Sequence, residues 1–388
     1  MQPEHQEVVY DALNPYPWYK FMREHSPISY DERLKLWYVF RYQDTQRLLL
    51  DVTTFSQGVK GASFIGSSFI GMDPPQHRQM RTLVTQAFTP GRVAQLEPRI
   101  TAIVHNLLDS VVTTGQMDVI ADLAYPLPSI VIAELLGIPA ADRDQFKHWS
   151  DIIIDELASA KHSPHSQAQE ELAAYFSQVI EQRRREPKDD LISALLAAEL
   201  DGERLSTYDI QATGLLLLIA GHVTTTNLIG NTVLCLTEHL EAFEELRATP
   251  ALIPNALEEV LRYRSPIASV IRRTAPDTHF RDCDLKAGEL VRVMVASANR
   301  DETAFPDPDR FDIRRTPNRH LSFGHGIHFC LGAPLARLEG KLALTAMLER
   351  LPALQRLHGI RLELVAGGGL LQGVKRLPVT FTPSRLIN

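Results

Sequence analysis

The run Phe323-Gly324-His325-Gly326-Ile327-His328-Phe329-Cys330-Leu331-Gly332-Ala333-Pro334 sets one cysteine in a glycine-flanked loop directly before a helical pattern. Pro334 suits a first helical turn, where a missing N–H costs little. A sulfur at that end of a helix faces unsatisfied N–H groups and the positive end of the helix dipole, which favour thiolate over thiol. A thiolate held this way is a metal ligand, and haem iron is the obvious metal. A solitary cysteine is more often a small buried hydrophobe. The neighbours argue otherwise here. Gly324 and Gly326 permit positive φ and let backbone approach a flat ligand. Phe323 can shield the sulfur, and His320 and His328 bracket the loop with polar side chains that packing alone does not need.

Haem brings two propionates, and buried carboxylates need partners. Arginine's planar fork matches them. In Asp73-Pro74-Pro75-Gln76-His77-Arg78-Gln79-Met80-Arg81, His77 and Arg81 are four apart and share a helix face. Taken alone they read as ordinary surface residues. A second run, Ser265 to Arg273, ends in the adjacent pair Arg272 and Arg273.

The pattern Phe-Gly-x-Gly-x-His-x-Cys-x-Gly resembles the haem-ligand loop of the cytochrome P-450 superfamily, the haem-thiolate monooxygenases. The resemblance runs from residue 10 to about residue 383. It implies that Cys330 is the axial thiolate ligand of haem b, and that His77, Arg81, Arg273, His320 and His328 bind the cofactor, Arg273 being favoured over Arg272. Glu259-Val260-Leu261-Arg262 resembles the family's Glu-x-x-Arg element, a buried pair locked by a later arginine, here Arg310 or Arg314. Ala220-Gly221-His222-Val223-Thr224-Thr225 resembles the oxygen-binding groove. There Gly221 lets the helix open over the iron and Thr224 hydrogen-bonds bound oxygen, while Thr225 and Thr226 are expected to back-bond to their own helix.

One position departs from the family pattern. Asp or Glu usually precedes the threonine, and here it is Val223, which relays no proton. His222 lies about 100° away round the helix and is no automatic substitute. Slower or leakier oxygen activation, with peroxide lost, is the expectation.

The elements that must position these groups read as mainly α with small β-sheets (α+β). The resemblance implies the cytochrome P-450 fold in a single domain over residues 1–388, with haem between a long central helix and the cysteine loop. Residues 206–238 form that long helix, capped by Ser206 and apolar nearly all round, as a core helix is. A second helix covers residues 253–263, and Leu36 to Phe40 and Leu290 to Val295 read as strands. Residues 53–72 read as a long loop, and residues 159–166 as a helix–helix loop. The charge run from Arg183 to Asp190 reads as a solvated corner. Phe64, Ile65, Phe69, Leu216, Val270 and Leu370 are candidates for an apolar pocket wall.

Composition sets outer bounds. The chain has 388 residues, 44% hydrophobic and 22% charged, with net charge -7. This suits a globular chain with a sizeable core and gives no field for nucleic acid. Its three cysteines are too few and scattered for a disulfide scaffold. No signal peptide is read at the start, and polar residues interrupt the long apolar helix. A cytoplasmic, soluble monomer without membrane contact is expected. The leading function is insertion of one oxygen atom into an apolar small molecule, with electrons from a ferredoxin or flavodoxin type donor. A peroxide-driven oxygenase and a non-catalytic haem-binding sensor or scaffold are the alternatives.

Overall fold

Apolar side chains on every face of one segment leave it nowhere to go but the interior. That segment is the helix Thr207–Glu238, 32 residues and about 48 Å long at 1.5 Å per residue. Its start is fixed chemically. Ser206 Oγ accepts from the Asp209 N–H at 3.1 Å, and the Asp209 carboxylate accepts from the Ser206 N–H at 2.9 Å, a reciprocal capping box. Its length and hydropathy would allow a membrane crossing, yet from Ala212 to Leu236 only Ile219, Ala220, Gly221, Val223 and Thr224 escape burial. The chain is described by a computed structural model over residues 10–57, 68–158, 166–357, 359–365 and 369–384.

The architecture is mainly helical, with small sheets at the periphery. The helices Gln76–Ala87, Glu97–Asp109, Pro126–Leu135, Gln167–Arg185, Ile253–Tyr263 and Ala333–Arg350 pack around the long helix in one continuous apolar core. The largest sheet runs in the order Ile28–Asp31, Leu36–Val39, Leu290–Val293, Val270–Thr274, Phe55–Ser56. Leu36–Val39 pairs with Leu290–Val293 in parallel, and the other pairings are antiparallel. Arg272 stands opposite Val291, and Arg273 opposite Leu290. Side chains alternate along a strand, so the two arginines leave on opposite faces.

The Glu-x-x-Arg element is buried as expected. Arg262 grips the Glu259 carboxylate through Nε and Nη2, both at 2.8 Å. Its remaining donors bind the carbonyls of Asn299, Pro308 and Arg310. The third arginine is neither Arg310 nor Arg314. It is Arg315, whose Nε lies 3.2 Å from Glu259. Arg310 supplies only its carbonyl, and Arg314 turns outward to Glu245 at 2.5 Å.

The 183–190 corner also differs from its sequence reading. Arg183 and Asp190 are buried and paired with each other. Arg183 Nη2 also donates to the Gly137 carbonyl at 2.7 Å. Asp190 accepts from the Ser193 N–H at 2.8 Å and so caps the next helix.

Candidate functional site

The cysteine loop is shaped by its backbone. The Cys330 N–H donates to Phe323 O, and the Gly324 N–H to Leu321 O, both at 2.8 Å. Gly324 and Gly326 both sit at φ +73°, where a side chain would be strained. The loop delivers Cys330 to the N-terminus of the helix Ala333–Arg350. Burial pushes the thiol pKa up. The N–H groups of Gly332 and Ala333 bond the sulfur, and with the guanidinium groups of Arg81 and Arg337 they pull the other way. The position is a thiolate cradle set in a desolvated place.

Beside it lies a cluster of donors of one sign. The rings of His77 and His328 are 4.2 Å apart. Each has a buried Nε2 without a partner among the described residues. Arg272 is buried, its Nη1 donates only to the neighbouring Ile271 carbonyl at 2.9 Å, and its Nε is unpaired. Arg81 Nη2 donates to Phe329 O at 2.7 Å, and its guanidinium covers the Phe69 ring at 5.4 Å. Burial lowers the His77 pKa, takes His328 down to about 3 and Arg272 to about 10. Mutual repulsion with Arg81 adds to this for both histidines. Asp73 is the acid that acts on His77, His328 and Arg272. Its carboxylate is already engaged by Ser56 Oγ and by the Gln57 N–H.

Two expected members stand elsewhere. Arg273 is exposed, and its Nη1 donates to the Gly288 carbonyl at 2.6 Å. The strand parity that sends it outward brings Arg272 in. His320 Nε2 lies 3.0 Å from Glu258, and its Nδ1 accepts from the Ser322 N–H at 3.2 Å. Glu258 also holds Arg337 through both carboxylate oxygens, at 2.7 and 2.8 Å. Burial opposes its charge, yet these bonds hold the Glu258 pKa down at about 2. His320 is therefore a strut of the loop, outside the His77–His328–Arg272 cluster.

The long helix supplies a second surface. Ala220, Gly221, Val223 and Thr224 form its accessible stripe. The helix does not open at Gly221; it is α-helical throughout. Thr224 Oγ1 donates to its own Ala220 carbonyl at 2.6 Å, and Thr226 does the same to His222 at 3.0 Å. Thr224 thus shares the back-bonding expected of its neighbours, with its lone pairs left to accept. His222 points away from the stripe. Its Nε2 is 3.0 Å from the Tyr125 carbonyl, and burial takes its pKa down to about 4. One turn beyond Thr224, Leu228 packs on Gly340 of the helix that follows Cys330, where a Cβ would lie 3.5 Å from Leu228 Cδ2.

The sequence profile of the family described as Cytochrome P450 matches residues 38–249 and 251–359. The chain belongs to the cytochrome P450 family. Cyclomarin C epoxidase CymV of Salinispora arenicola is 44% identical over 349 residues, covering 86% of this chain and 88% of that protein. Vitamin D(3) 25-hydroxylase of Pseudonocardia autotrophica is 40% identical over 386 residues, covering 95% and 94%. The crystal structure of CYP109E1 from Bacillus megaterium in complex with testosterone superposes with a TM-score of 0.88 at 42% identity, over 95% of this chain and 99% of that one. The substrate-free structure of the same protein gives 0.91 at 40% identity, over 96% and 100%.

Haem b is the cofactor of cytochrome P450 proteins, and the residues fit it. Unpaired, buried Nε2 and Nε atoms on His77, His328 and Arg272 await acceptors, and two carboxylates would provide them. The sulfur meets helix N–H groups, as a thiolate requires. Among the described residues no group of three His, Cys, Asp or Glu side chains forms another metal site. Sequence reasoning undervalued Arg272 and passed over Asp73. Pairing register was the missing signal for the first, and the Asp73 bond to strand Phe55–Ser56 for the second. Four basic residues near the loop are already paired. Arg314, Arg315, Arg337 and Lys341 are paired with Glu245, Glu259, Glu258 and Glu97. Of the pocket candidates, Phe69 and Leu216 are buried and Leu370 is exposed, while Phe64 and Ile65 lie outside the described residues.

Proposed function

We propose that this chain is a haem-thiolate monooxygenase. It would insert one atom of O2 into a bulky apolar organic substrate, with electrons from a separate ferredoxin or flavodoxin type donor. The observation that carries the reading is the thiolate cradle at Cys330 beside the unpaired donors of His77, His328 and Arg272. When bound, the haem supplies activation of dioxygen, with the thiolate favouring O–O cleavage. Cys330 would hold the iron, and His77, Arg81, Arg272 and His328 would hold the propionates. Thr224 Oγ1 holds a proton at the accessible stripe of the long helix.

Relatives and one apolar strip support this substrate class. The relatives include a vitamin D(3) hydroxylase and a structure bound to testosterone. Ile267 to Val270 is stitched to residues 369–372 by an Ile267–Leu371 bridge and by the Ala268 N–H on Leu370 O at 2.8 Å. An apolar strip of this kind suits steroid-sized molecules. On the loop's outer side Ile327 and Phe329 are exposed, and Leu50, also exposed, packs on Gly326. That apolar patch supports docking of the donor there.

The test is spectral and then chemical. Purified wild-type protein, reduced under CO, should show the long-wavelength Soret band of thiolate ligation, and Cys330→Ser should lose it. A steroid and terpenoid panel should then yield hydroxylated product with NADH, a reductase and ferredoxin. Product with peroxide alone and none with the donor system would favour the peroxide-driven alternative. A wild type without the thiolate band would sink both.

A further inference from the structure

A hydroxyl at Thr224 that passes on a proton must regain one, and Val223 cannot return it. We propose that Asn227 holds a water that resupplies Thr224, fed from a polar cavity beyond Gln372. The proposal rests on the monooxygenase reading. Asn227 is buried in the long helix, and both its amide atoms, Oδ1 and Nδ2, lack a partner among the described residues. Buried polar groups are almost always satisfied, by ordered water where protein offers nothing. Asn227 lies three residues after Thr224 on an unbroken helix. Side chains so spaced are neighbours, with Cβ atoms about 5–6 Å apart, and the proposed water sits between them.

The seam continues away from the accessible stripe. Four residues on, Asn231 Nδ2 donates to the carbonyls of Gln372 and Arg264, both at 3.0 Å. Gln372 is 8% exposed; its amide nitrogen donates to the Tyr16 hydroxyl at 3.0 Å, and its Oε1 is unpaired. Tyr16, Asn231, Glu238, Arg264, Gln372 and Gly373 share the lining of a cavity of about 790 Å³. Gly373, part of the cavity wall, packs directly on the amide: a Cβ there would lie 2.1 Å from Asn227 Oδ1. Only glycine lets the amide and the 372–373 backbone meet.

The proton balance closes without a carboxylate. Thr224 Oγ1 turns its proton from the Ala220 carbonyl to an acceptor bound over the accessible stripe. The water on Asn227 gives one to Thr224 Oγ1, whose lone pairs are free, and regains one from solvent in the cavity. Two passages supply the two protons that one turnover consumes, and the electrons come from the donor. Asn227 is a positioning residue, since it touches neither substrate nor reacting atoms.

The test joins a structural readout to a chemical one. A high-resolution crystal structure of the wild-type holoprotein should show a water within hydrogen-bond distance of the Asn227 amide and Thr224 Oγ1. Asn227→Leu should keep the thiolate band, lose that water and release at least fivefold more peroxide per NADH oxidised. Adding Val223→Glu to Asn227→Leu should bring peroxide back to within twofold of wild type, because the acid opens a separate supply. That rescue would not follow a merely structural loss. No water at Asn227, or unchanged peroxide from a correctly ligated Asn227→Leu, overturns the proposal and leaves the monooxygenase reading standing. A wild type lacking the thiolate band would overturn the monooxygenase reading and this proposal together.

Discussion

Arg272 and Arg273 are adjacent in sequence and opposite in consequence. Arg272 is buried with an unpaired Nε beside His77 and His328, while Arg273 binds a carbonyl at the surface. Arg272→Ala removes a desolvated guanidinium that a propionate would need, so haem should leave for an apo-globin acceptor at least tenfold faster. Arg273→Ala should change that rate less than about twofold, as surface substitutions do. Equal effects would mean that strand parity does not sort the pair. Here lies the limit of the sequence at this scale. The cysteine loop is legible because one spacing fixes ligand, glycines and helix start together. The arginine is not, because Leu290–Val293, brought from another part of the chain, decides which side chain faces inward. His320 misleads for a similar reason: Glu258, 62 residues away, takes its ring.

Elements come out of the sequence better than their partners do. The long helix begins where its Ser206 cap places it, and Ile253–Tyr263 matches its expected bounds, since such signals are local. The lock that holds Ile253–Tyr263 to the later loop is not local. Any of several arginines could have closed it, and only the folded loop shows Arg315 on Glu259 while Arg314 goes to Glu245. The two roles predict different costs. Arg262→Ala takes the bidentate partner from a fully buried Glu259 carboxylate, leaving it the longer Arg315 contact, and should cost about 3–5 kcal/mol in chemical denaturation. Arg314→Ala breaks an exposed pair and should cost about 0–1 kcal/mol. A small loss for Arg262→Ala would show that the loop relaxes to hydrate Glu259, and the lock would then be no lock. Acids from distant elements likewise take Arg314, Arg315, Arg337 and Lys341 near the cysteine loop.

Taken as a whole, the molecule buries two titratable groups whose preferences oppose each other. Glu339, two residues after Arg337 on the helix after Cys330 and so on its other face, is buried with Oε2 unpaired among the described residues, and burial pushes its pKa up to about 8. A raised carboxyl favours the fold while both states are protonated, and that advantage drains as pH rises from about 4.5 to about 8. His222 goes the other way. Its pKa falls from 6.5 to about 4, so the neutral ring is compatible with the fold above 6.5 and stability is lost as pH drops through that window. Between about 4.5 and 6.5 the two slopes oppose each other, and above 6.5 Glu339 acts alone. At ~1.4 kcal/mol per pKa unit, its share of the loss from pH 6.5 to 8 is about 2 kcal/mol. Urea midpoints of holoprotein at those two pH values should therefore fall for the wild type and stay level for Glu339→Gln. An alkaline decline that persists in Glu339→Gln would mean that solvent already reaches this carboxylate inside the core.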